Sequence, residues 1–421
     1  MKLLVKGVIN LSLEFKYYKI DDIGKVVSGG TPSTSKNEYW YGDIGWITPK
    51  DLSSYDDIYI SQGERNITEE GLNNSSAKLV PKNTVLMTSR APIGYIAIAD
   101  NELSTNQGFK SLICDENICH YKYFYYWLKL NIKYIINNSS GSTFNEISGG
   151  TFKNLEISLP SITEQKVISS VLWTLDEKIS VLKKINKNLN KIIRLLYNSW
   201  FVNFLPFQNE EFNDTYMGKI PNNWEIKNLS EVCDTISETF DKNAKNIVLI
   251  NTSDVYNGKV LNHEFVPNEN IKGQFKKLFK KNDILYSEIR PANKHYAFVN
   301  FNSNNYVAST KLMVLRAKSN IIIPYILYLF LTSKDMIMEF SLLAESRSGT
   351  FPQITFNEIK HEKVIVAPLE VYEDFWNNIE SLVEKQYIID DEIIKLTQLR
   401  DTLLPKLMSG EIDVSKINCD L

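Results

Sequence analysis

One stretch decides the fold of this chain: residues 161–200, which read SITEQKVISSVLWTLDEKISVLKKINKNLNKIIRLLYNSW. Apolar residues recur along it at alternating steps of three and four, and this spacing is typical of a long helix whose apolar face pairs with another helix. Pro160 ends the preceding segment, while Ser161 and Glu164 have the spacing of a capping box at a helix N-terminus. The stretch therefore predicts a helix over about residues 163–204, roughly 60 Å long.

The same pattern returns 207 residues later, near the end of the chain. The heptad phase is unchanged, and polar residues interrupt the seam at Asn186, Gln386 and Arg400, where such residues fix register and orientation at a cost in stability. The apolar seam positions that we expect to pair the helices are Leu172, Leu175, Ile179, Leu182, Leu189, Ile193 and Leu196 in the first helix and Ile379, Leu382, Ile389, Ile393, Leu396 and Leu403 in the second.

Charge indicates how these two helices are partnered. Residues 160–205 contain seven basic and three acidic residues, whereas residues 369–421 contain five basic and twelve acidic ones. Because opposite charges attract, we expect the helices to pack on each other as an antiparallel coiled coil. The alternative is that each amphipathic helix lies on its own domain.

Outside the helices the chain repeats itself. KNTVL at 82–86 is followed by Arg90, KNDIL at 281–285 is followed by Arg290, and GSTF at 141–144 matches SGTF at 348–351. We therefore expect an α+β fold with two globular domains in tandem, at 1–160 and 206–368, and helices at 161–205 and 369–421. Within the domains, the patterns predict strands at 43–48, 85–88, 95–99, 247–250 and 307–315 and helices at 121–136 and 324–343.

Composition limits the function classes. The chain has 421 residues, 43% hydrophobic and 23% charged, with a net charge of −3, which gives no support to non-specific coating of nucleic acid. It has no apolar run of the roughly 18 residues that span a bilayer, and residues 1–15 lack a signal-peptide cleavage site, so we expect a cytoplasmic protein. The four cysteines are too scattered for a disulfide framework. Cys114, Cys119 and His120 lie close together, but without a second ligand pair they favour a buried thiol over a metal site.

Several segments resemble the specificity subunit of type I restriction–modification systems. SGGTPST at 28–34 and YWYGDIGWIT at 39–48 are similar to the opening of a target recognition domain, and GKIPNNW at 218–224 is similar to the start of the second such domain. The helix that follows Leu159-Pro160 resembles the spacer helix of that family, and LLPKLMSGEI at 403–412 resembles the end of its second spacer helix. The first half lacks a Gly-x-Ile-Pro-x-x-Trp start, and the second lacks a Gly-Gly-Thr-Pro-Ser segment.

The resemblance implies a sequence-specific DNA-binding subunit. Each domain would read one half of a bipartite target in double-stranded DNA, and the paired helices would set the spacer between the halves. Two methyltransferase subunits carrying S-adenosylmethionine would dock on it. Motor–nuclease subunits that use ATP and Mg are a further implied partner, and whether this system has them stays open. The chain itself would hold no cofactor.

Catalytic motifs are missing from the sequence. It has no Asn/Asp-Pro-Pro-aromatic tetrapeptide for amino-methylation, no Gly-x-x-x-x-Gly-Lys-Ser/Thr phosphate loop and no Gly-x-Ser-x-Gly elbow, so we expect a non-catalytic subunit. One rival is a metal-dependent nuclease built on Asp283, Glu288 and Arg290, although the matching Thr84 and Ser89 carry no acid. Other rivals are a subunit serving only a methyltransferase and a helical protein–protein scaffold.

Candidate DNA contacts come from segments where strands run into loops. Arg can form paired hydrogen bonds with guanine, and Asn or Gln can form them with adenine, whereas Lys and Ser more often bind phosphates. The alternative for each residue is a solvated loop or turn residue. Arg90 and Arg290 lead because an arginine follows the repeated strand in both halves. The candidates are Lys50, Ser89, Arg90, Asn106, Gln107, Ser142 and Thr143 in the first half and Arg290, Asn293, Lys294, Lys311, Arg347 and Ser348 in the second.

A lysine-rich strip in the second half is open to two interpretations. Residues 272–281 carry five lysines with Phe275 and Phe279 between them. The strip could track phosphates along a DNA edge. It could equally be an ordinary basic surface whose aromatic residues face the core.

Overall fold

A computed structural model describes residues 14–53, 55–141, 145–240, 244–269, 273–347 and 350–414. By its internal contacts the chain divides into two compact units. Unit 1 contains the residues up to Ile185 and those from Ile389 onward, and unit 2 contains Asn186–Ile388. In the described part of the chain, no helix combines the length and apolar character needed to cross a membrane.

Unit 1 contains ten described strands and parts of both long helices. Its strands are β1 (Lys16–Lys19), β2 (Gly24–Val27), β3 (Trp40–Ile47), β4 (Tyr59–Ile60), β5 (Leu79–Val80), β6 (Val85–Ser89), β7 (Ile93–Ala99), β8 (Leu103–Thr105), β9 (Ser111–Cys114) and β10 (Glu156–Leu159). Its helices are α1 (Pro49–Leu52), α2 (Glu69–Asn73), α3 (Tyr121–Asn137), α4 (Gly149–Lys153) and the first part of α5 (Ile162–Phe201). The strands form a five-stranded sheet in the order β2-β9-β6-β7-β4, a three-stranded sheet β3-β8-β5 and the antiparallel pair β1-β10.

Unit 2 is built from a larger number of short strands. They are β11 (Phe212–Thr215), β12 (Gly218–Pro221), β13 (Glu225–Asn228), β14 (Cys233–Thr235), β15 (Asn246–Ile250), β16 (Val255–Tyr256), β17 (Lys259–Val260), β18 (Val266–Pro267), β19 (Phe275–Lys277), β20 (Ile284–Ser287), β21 (Tyr296–Phe298), β22 (Tyr306–Ser309), β23 (Leu312–Ala317) and β24 (Lys363–Val366). Its helices are α6 (Leu229–Val232), α7 (Pro324–Leu331), α8 (Lys334–Arg347), α9 (Phe356–Ile359) and the first part of α10 (Leu369–Met408).

The sheet topology confirms that one α+β domain occurs twice. The order β2-β9-β6-β7 of unit 1 matches β14-β23-β20-β21 of unit 2, and the pair β1-β10 matches β13-β24. The parallel pair β3·β8 likewise matches the parallel pair β15·β22. The same hydrogen-bonding plan therefore supports sequences that have diverged in most other respects.

Two predicted elements are each broken in two. The expected strand at 307–315 is two strands, β22 and β23, because the chain turns at Thr310 and Lys311. The expected helix at 324–343 is α7 followed by α8, because α7 ends at its C-cap Thr332, whose hydroxyl donates to the Tyr328 carbonyl at 2.6 Å. Apolar runs do not reveal such local breaks, since turn residues can sit inside them.

The start of α5 is capped as its sequence predicts. The Ser161 backbone N–H and hydroxyl both donate to Glu164 Oε2, at 2.9 and 2.7 Å, and the Glu164 N–H donates to Ser161 Oγ at 3.3 Å. This capping box satisfies donors that the first turn of a helix leaves without partners.

In unit 1, α5 and α10 pair in antiparallel fashion. Arg400 Nη1 lies 2.6 Å from Asp176 Oδ1, and Lys178 Nζ lies 2.5 Å from Glu392 Oε1, so numbers rise along one helix as they fall along the other. The seam residues in this unit are buried or half-buried: Leu172, Leu175, Ile179, Leu182, Ile389, Ile393, Leu396 and Leu403. These contacts confirm the predicted antiparallel coiled coil. The alternative, in which each amphipathic helix lies only on its own domain, is wrong.

In unit 2, the same helices pair around Asn186 and Gln386. The side-chain amide of each residue donates to the backbone carbonyl of the other, at 3.5 and 3.4 Å. The seam residues in this unit, Leu189, Ile193, Leu196, Ile379 and Leu382, are also buried or half-buried. Two polar seam residues therefore face each other, as expected where register is to be fixed.

Candidate nucleic-acid interface

In both units some of the candidate residues lie where a central strand ends. A loop returns to the end of β6 in unit 1 and to the end of β20 in unit 2. The Ile147 N–H donates to the Ser89 carbonyl at 3.1 Å, and the Ile354 N–H donates to the Glu288 carbonyl at 2.8 Å. These matching hydrogen bonds align the two units residue by residue at this point.

The strand end of unit 1 carries cluster 1, which we define as Arg90, Lys110 and Glu146. Arg90 Nη1 lies 3.6 Å from Glu146 Oε2. Lys110 is only 7% exposed, and its Nζ donates to the Phe109 carbonyl at 3.2 Å and to Ser89 Oγ at 3.5 Å. Burial lowers the pKa of Lys110, and the nearby Glu146 carboxylate opposes this shift.

The strand end of unit 2 carries cluster 2, which we define as Lys277, Glu288, Lys311 and Gln353. The Glu288 side chain is 12% exposed and lies 3.9 Å from Lys277 Nζ and 3.8 Å from Lys311 Nζ. Gln353 Nε2 donates to Glu288 Oε2 at 3.0 Å, and its Oε1 accepts from Lys311 Nζ at 3.3 Å. Burial lowers the pKa of Lys277, whose Nζ also donates to two backbone carbonyls at 3.1 and 2.9 Å.

The two clusters contain similar charged groups, but these groups come from different positions of the duplicated domain. Each contains one glutamate, one largely enclosed lysine (Lys110 is buried and Lys277 half-buried) and one more exposed cation. Glu146 directly precedes Ile147, so its equivalent in unit 2 is Gln353, whereas the equivalent of Glu288 is Ser89. The carboxylate therefore stands on the loop in unit 1 and on the strand end in unit 2.

Three further candidates of unit 1 lie outside cluster 1: Lys50 is in α1, and Asn106 and Gln107 directly follow β8. Lys50 is exposed, and its Nζ lies 2.7 Å from Glu64 Oε2; this hydrogen bond raises the pKa of Lys50. Gln107 is exposed and accepts from the Thr31 hydroxyl at 2.5 Å. Asn106 is half-buried, and its Oδ1 accepts from a backbone N–H two residues further on at 2.8 Å, which makes it a turn former.

The remaining candidates of unit 1 differ in accessibility. The Arg90 side chain is 40% exposed and can meet a ligand directly. Ser89 is fully buried, so it can support Lys110 but cannot touch DNA in this conformation. Ser142 and Thr143 lie outside the described residues.

In unit 2, Arg290, Asn293 and Lys294 are brought together on one exposed turn. Arg290 and Lys294 have left-handed backbones, with φ of 44° and 57°, a conformation that costs non-glycine residues on the order of 1 kcal/mol. Lys311 belongs to cluster 2. The Arg347 side chain and Ser348 lie outside the described parts of unit 2.

The arginines that follow the repeated strand in the two halves are not structurally equivalent. Ala91 and Arg290 each precede a proline and each have a positive φ, of 57° and 44°. Since Ser89 aligns with Glu288, Arg90 aligns with Ile289. Recurrence therefore does not support a shared role for Arg90 and Arg290.

Sequence reasoning missed Lys110, Glu146 and Gln353, although signals for them exist. Lys110 stands two residues before Leu112, so strand alternation puts both on the same face. The repeat GSTF/SGTF continues for three further residues, which makes Glu146 and Gln353 counterparts without any structure. Burial of a lysine, however, becomes visible only once the chain is folded.

The carboxylates of the nuclease rival are engaged by cations of the chain. Asp283 is buried, and both its oxygens accept from Arg316, at 2.7 Å from Nε and 2.8 Å from Nη2. Asp283 also accepts from the Lys280 N–H at 2.8 Å, so it acts as a structural ion pair and turn cap. Among the described residues, no group of three His, Cys, Asp or Glu side chains is placed to hold a metal ion.

The lysine-rich strip divides between surface and core. Phe275 and Phe279 are 8% and 5% exposed, as the second interpretation expects, and Lys277 turns inward to Glu288. Lys272 lies outside the described residues. The exposed lysines are Lys276, Lys280 and Lys281.

Taken together, the fold and the clusters define a two-module recognition protein, with one charged site in each copy of a duplicated domain. The family model described as "Type I restriction modification DNA specificity domain" matches residues 13–191 and 221–398. The chain therefore belongs to the type I restriction modification DNA specificity domain family.

Relatives with known names agree with this family. The type I restriction enzyme MjaIX specificity subunit of Methanocaldococcus jannaschii is 37% identical over 414 residues, which cover 95% of this chain and 94% of the relative. The type I restriction enzyme HindI specificity subunit of Haemophilus influenzae is 42% identical over 181 residues, which cover 43% of this chain and 38% of that one. The crystal structure of the type I restriction–modification S subunit from M. genitalium has the same fold, with a TM-score of 0.58 at 18% identity, covering 96% of this chain and 98% of that one.

Proposed function

We propose that the two units bind the two halves of a split target in double-stranded DNA and direct partner methyltransferase subunits, and restriction subunits where present, to that target. The observation that carries the proposal is the occurrence of a charged cluster at the same strand end of each unit, with different residues in each. Two modules of one fold with different side chains are what a target with two different half-sites requires.

Cations at the clusters favour a polyanionic ligand. Arg90 and Lys311 are 40% and 46% exposed, and the turn of unit 2 adds exposed Arg290 and Lys294. Arg and Lys reach both phosphate oxygens and the O6/N7 edge of guanine. The whole-chain charge of −3 means that binding depends on these local groups.

The paired helices are the proposed docking surface for two methyltransferase subunits. Each unit exposes large apolar side chains on its part of α5 and α10, and such side chains on a paired helix are typical of a further packing surface. They include Val181, Ile185 and Leu399 in unit 1 and Ile192, Leu195 and Ile388 in unit 2. One such face per unit supports two partner copies for each chain.

The chain's own role in the reaction is binding and placement. S-adenosylmethionine would belong to the methyltransferase subunits, and ATP and Mg would belong to motor–nuclease subunits. The adenine to be methylated has to leave the base stack to reach a methyltransferase pocket, which requires the protein to hold the duplex in a fixed register. Such a complex would work in the cytoplasm, beside the chromosome.

Methylation mapping of the source strain, with and without this gene, tests the proposed function. We expect one split motif, two short blocks separated by a fixed run of unspecified bases, to lose its methyl groups on deletion. If the neighbouring methyltransferase is expressed and no motif changes, the proposal fails.

DNA binding by the reconstituted complex separates recognition from a purely structural scaffold. We expect the affinity for a duplex carrying the mapped motif to fall steeply as salt rises, because phosphate contacts release counterions. A complex that assembles fully but binds this duplex no better than a scrambled one supports the scaffold rival.

The docking proposal has its own test. Replacing Val181 and Ile185 with lysine puts two charges on the face of unit 1 only. We expect the methyltransferase to co-purify at one copy per chain in place of two. Lys187→Glu, an exposed charge change on α5 that is not three or four residues from any of these apolar side chains, is the matched control and should leave two copies bound.

A further inference from the structure

The loop position occupied by Glu146 in unit 1 and Gln353 in unit 2 combines three properties. It is structurally equivalent in the two units, because each residue directly precedes the isoleucine that bonds back to the strand end. It is accessible, since the Glu146 side chain is 45% exposed and Gln353 is half-buried. It also differs in chemistry between the units, as a residue that distinguishes two half-sites should.

A glutamate at this point cannot serve as a phosphate contact. Its carboxylate carries the same charge as the DNA backbone and accepts hydrogen bonds but donates none. On the base edges of the major groove, the donors are the amino groups of cytosine N4 and adenine N6. The Arg90 guanidinium at 3.6 Å offsets part of the repulsion between Glu146 and the phosphates.

A glutamine at the same point has different hydrogen-bonding options. Its amide offers two donor hydrogens and two acceptor lone pairs. Cluster 2 uses one of each, because Nε2 donates to Glu288 and Oε1 accepts from Lys311. One donor and one acceptor remain, which is the pair that adenine N7 and N6 require.

The neighbours of this position hold it in place. Gln353 is oriented from both sides of its amide, and Glu288 is itself held by Lys277 and Lys311. A base-reading side chain whose orientation is set before binding loses less entropy when it binds.

We propose, on the basis of the proposed function, that position 146/353 is a specificity-determining position that reads one base pair in each half-site. Glu146 accepts from the amino group of cytosine or adenine, and Gln353 pairs with adenine. Lys277 and Glu288 are positioning residues in unit 2, because they act on DNA through Gln353 and Lys311.

The test exchanges the two chemistries within the reconstituted methyltransferase complex. Glu146→Gln gives unit 1 the amide of unit 2, and the double variant Glu288→Gln with Gln353→Glu moves the carboxylate of unit 2 to the loop without changing the net charge. Each complex methylates a pool of duplexes in which every position of the mapped motif is varied singly. The matched controls are Glu156→Gln in unit 1 and Gln208→Glu in unit 2, both exposed and away from the clusters.

We expect Glu146→Gln to change the base preference at one position of one half-site, by about fivefold or more in relative methylation rate. The double variant should change the base preference at one position of the other half-site by a similar factor. The controls should leave the base preference of both half-sites unchanged. A variant that keeps the wild-type preference at every position overturns the inference. So does a uniform loss of methylation across all duplexes, which would indicate a structural or phosphate-directed role. If the wild-type complex methylates no split motif, the proposed function itself fails.

Discussion

The two units attach their share of the paired helices in chemically opposite ways. In unit 1, Asp176 and Arg400 form an ion pair whose side chains are 4% and 15% exposed. The positions 207 residues away, Val383 and Ile193, are 2% and 0% exposed and belong to the apolar core of unit 2. The same place in a duplicated fold is thus held by charge in one copy and by burial of apolar surface in the other.

The charged junction of unit 1 also binds the globular part of that unit. Tyr126 of α3 is fully buried, and its hydroxyl donates to Asp176 Oδ2 at 2.7 Å. Burial, reinforced by the Asp176 carboxylate, raises the pKa of Tyr126, so the hydroxyl stays protonated and can donate. Three elements, α3, α5 and α10, therefore meet at one carboxylate.

Unit 2 relies on closely packed aromatic rings at its junction, in edge-on and tilted contacts. The rings of Phe201 and Phe375 lie 4.9 Å apart, and those of Phe201 and Tyr372 lie 5.4 Å apart. Arg194 of α5 adds polar contacts to the globular part, since it donates to the Thr332 carbonyl and hydroxyl at 3.1 and 3.0 Å.

The apolar junction and the ion pair contribute differently to the stability and to the register of the paired helices. An apolar junction stabilises by burying area but tolerates alternative pairings of similar volume. A buried ion pair adds little net stability, yet any pairing that separates its partners leaves a charge unpaired. We infer that Asp176 and Arg400 select the register of α5 and α10 within unit 1.

Removing one partner of the charged junction should cause the largest loss in the free energy of unfolding. Arg400→Ala leaves the Asp176 carboxylate buried without its cation, which typically costs about 3–5 kcal/mol. Urea unfolding of the full chain, with hydrogen exchange to locate the loss, measures it. Lys406→Ala on the same helix, whose ion pair with Glu411 is exposed, is the control and should cost less than about 1 kcal/mol. A similar small cost for Arg400→Ala would contradict the role given to the pair.

Removing the tyrosine hydroxyl should cause a smaller loss in the free energy of unfolding. Tyr126→Phe deletes one donor to Asp176 but keeps the ring and its packing. We expect a loss of about 1.5–3 kcal/mol, the usual range for a hydrogen bond to a charged group. The same unfolding experiment reports it, with Tyr123→Phe, a buried tyrosine of the same helix, for comparison. Equal losses in the two variants would mean that the bond to Asp176 adds nothing specific.

Acid should weaken unit 1 through His120, the N-cap of α3, where α7 of unit 2 has Ile323. Burial, with help from Lys122 and Lys166, lowers the pKa of His120 from 6.5 to about 4. Between pH 6.5 and 4, His120 is protonated in the unfolded chain but neutral in the folded chain. The free energy of unfolding therefore falls as the pH drops from 6.5 to 4. We expect His120→Asn to be less pH-sensitive than wild type over this window, as measured by urea unfolding at several pH values. Identical pH profiles would show that His120 is not responsible.

Transplanting the chemistry of unit 2 into unit 1 should have the smallest net effect on stability. The triple variant Asp176→Val, Arg400→Ile and Tyr126→Phe removes all three polar groups together. Because replacing a whole buried ion pair by apolar residues is often neutral, we expect unfolding within about 1 kcal/mol of wild type. Register should then become less specific, which cysteine cross-linking between α5 and α10 can measure. A variant that is as unstable as Arg400→Ala would refute the comparison.

Much of the architecture follows from local patterns in the sequence. The capping box at Ser161 and Glu164, the heptad seams and the 207-residue repeat each depend on spacing along the chain, and spacing is visible without a fold. Breaks inside apolar runs, as at Thr310 and Thr332, are not visible in this way. Turns there depend on hydrogen bonds that form only in the folded chain.

What the sequence determined by itself is the duplicated α+β fold, the long antiparallel helices and the family. What only the tertiary structure decided is which side chains meet: that Arg400 contacts Asp176, and that Lys110 is buried beside Glu146. The physical reason is range. Helix periodicity and capping are interactions between near neighbours in the chain, whereas an ion pair between residues 224 apart, or the burial of one lysine, depends on how distant segments pack.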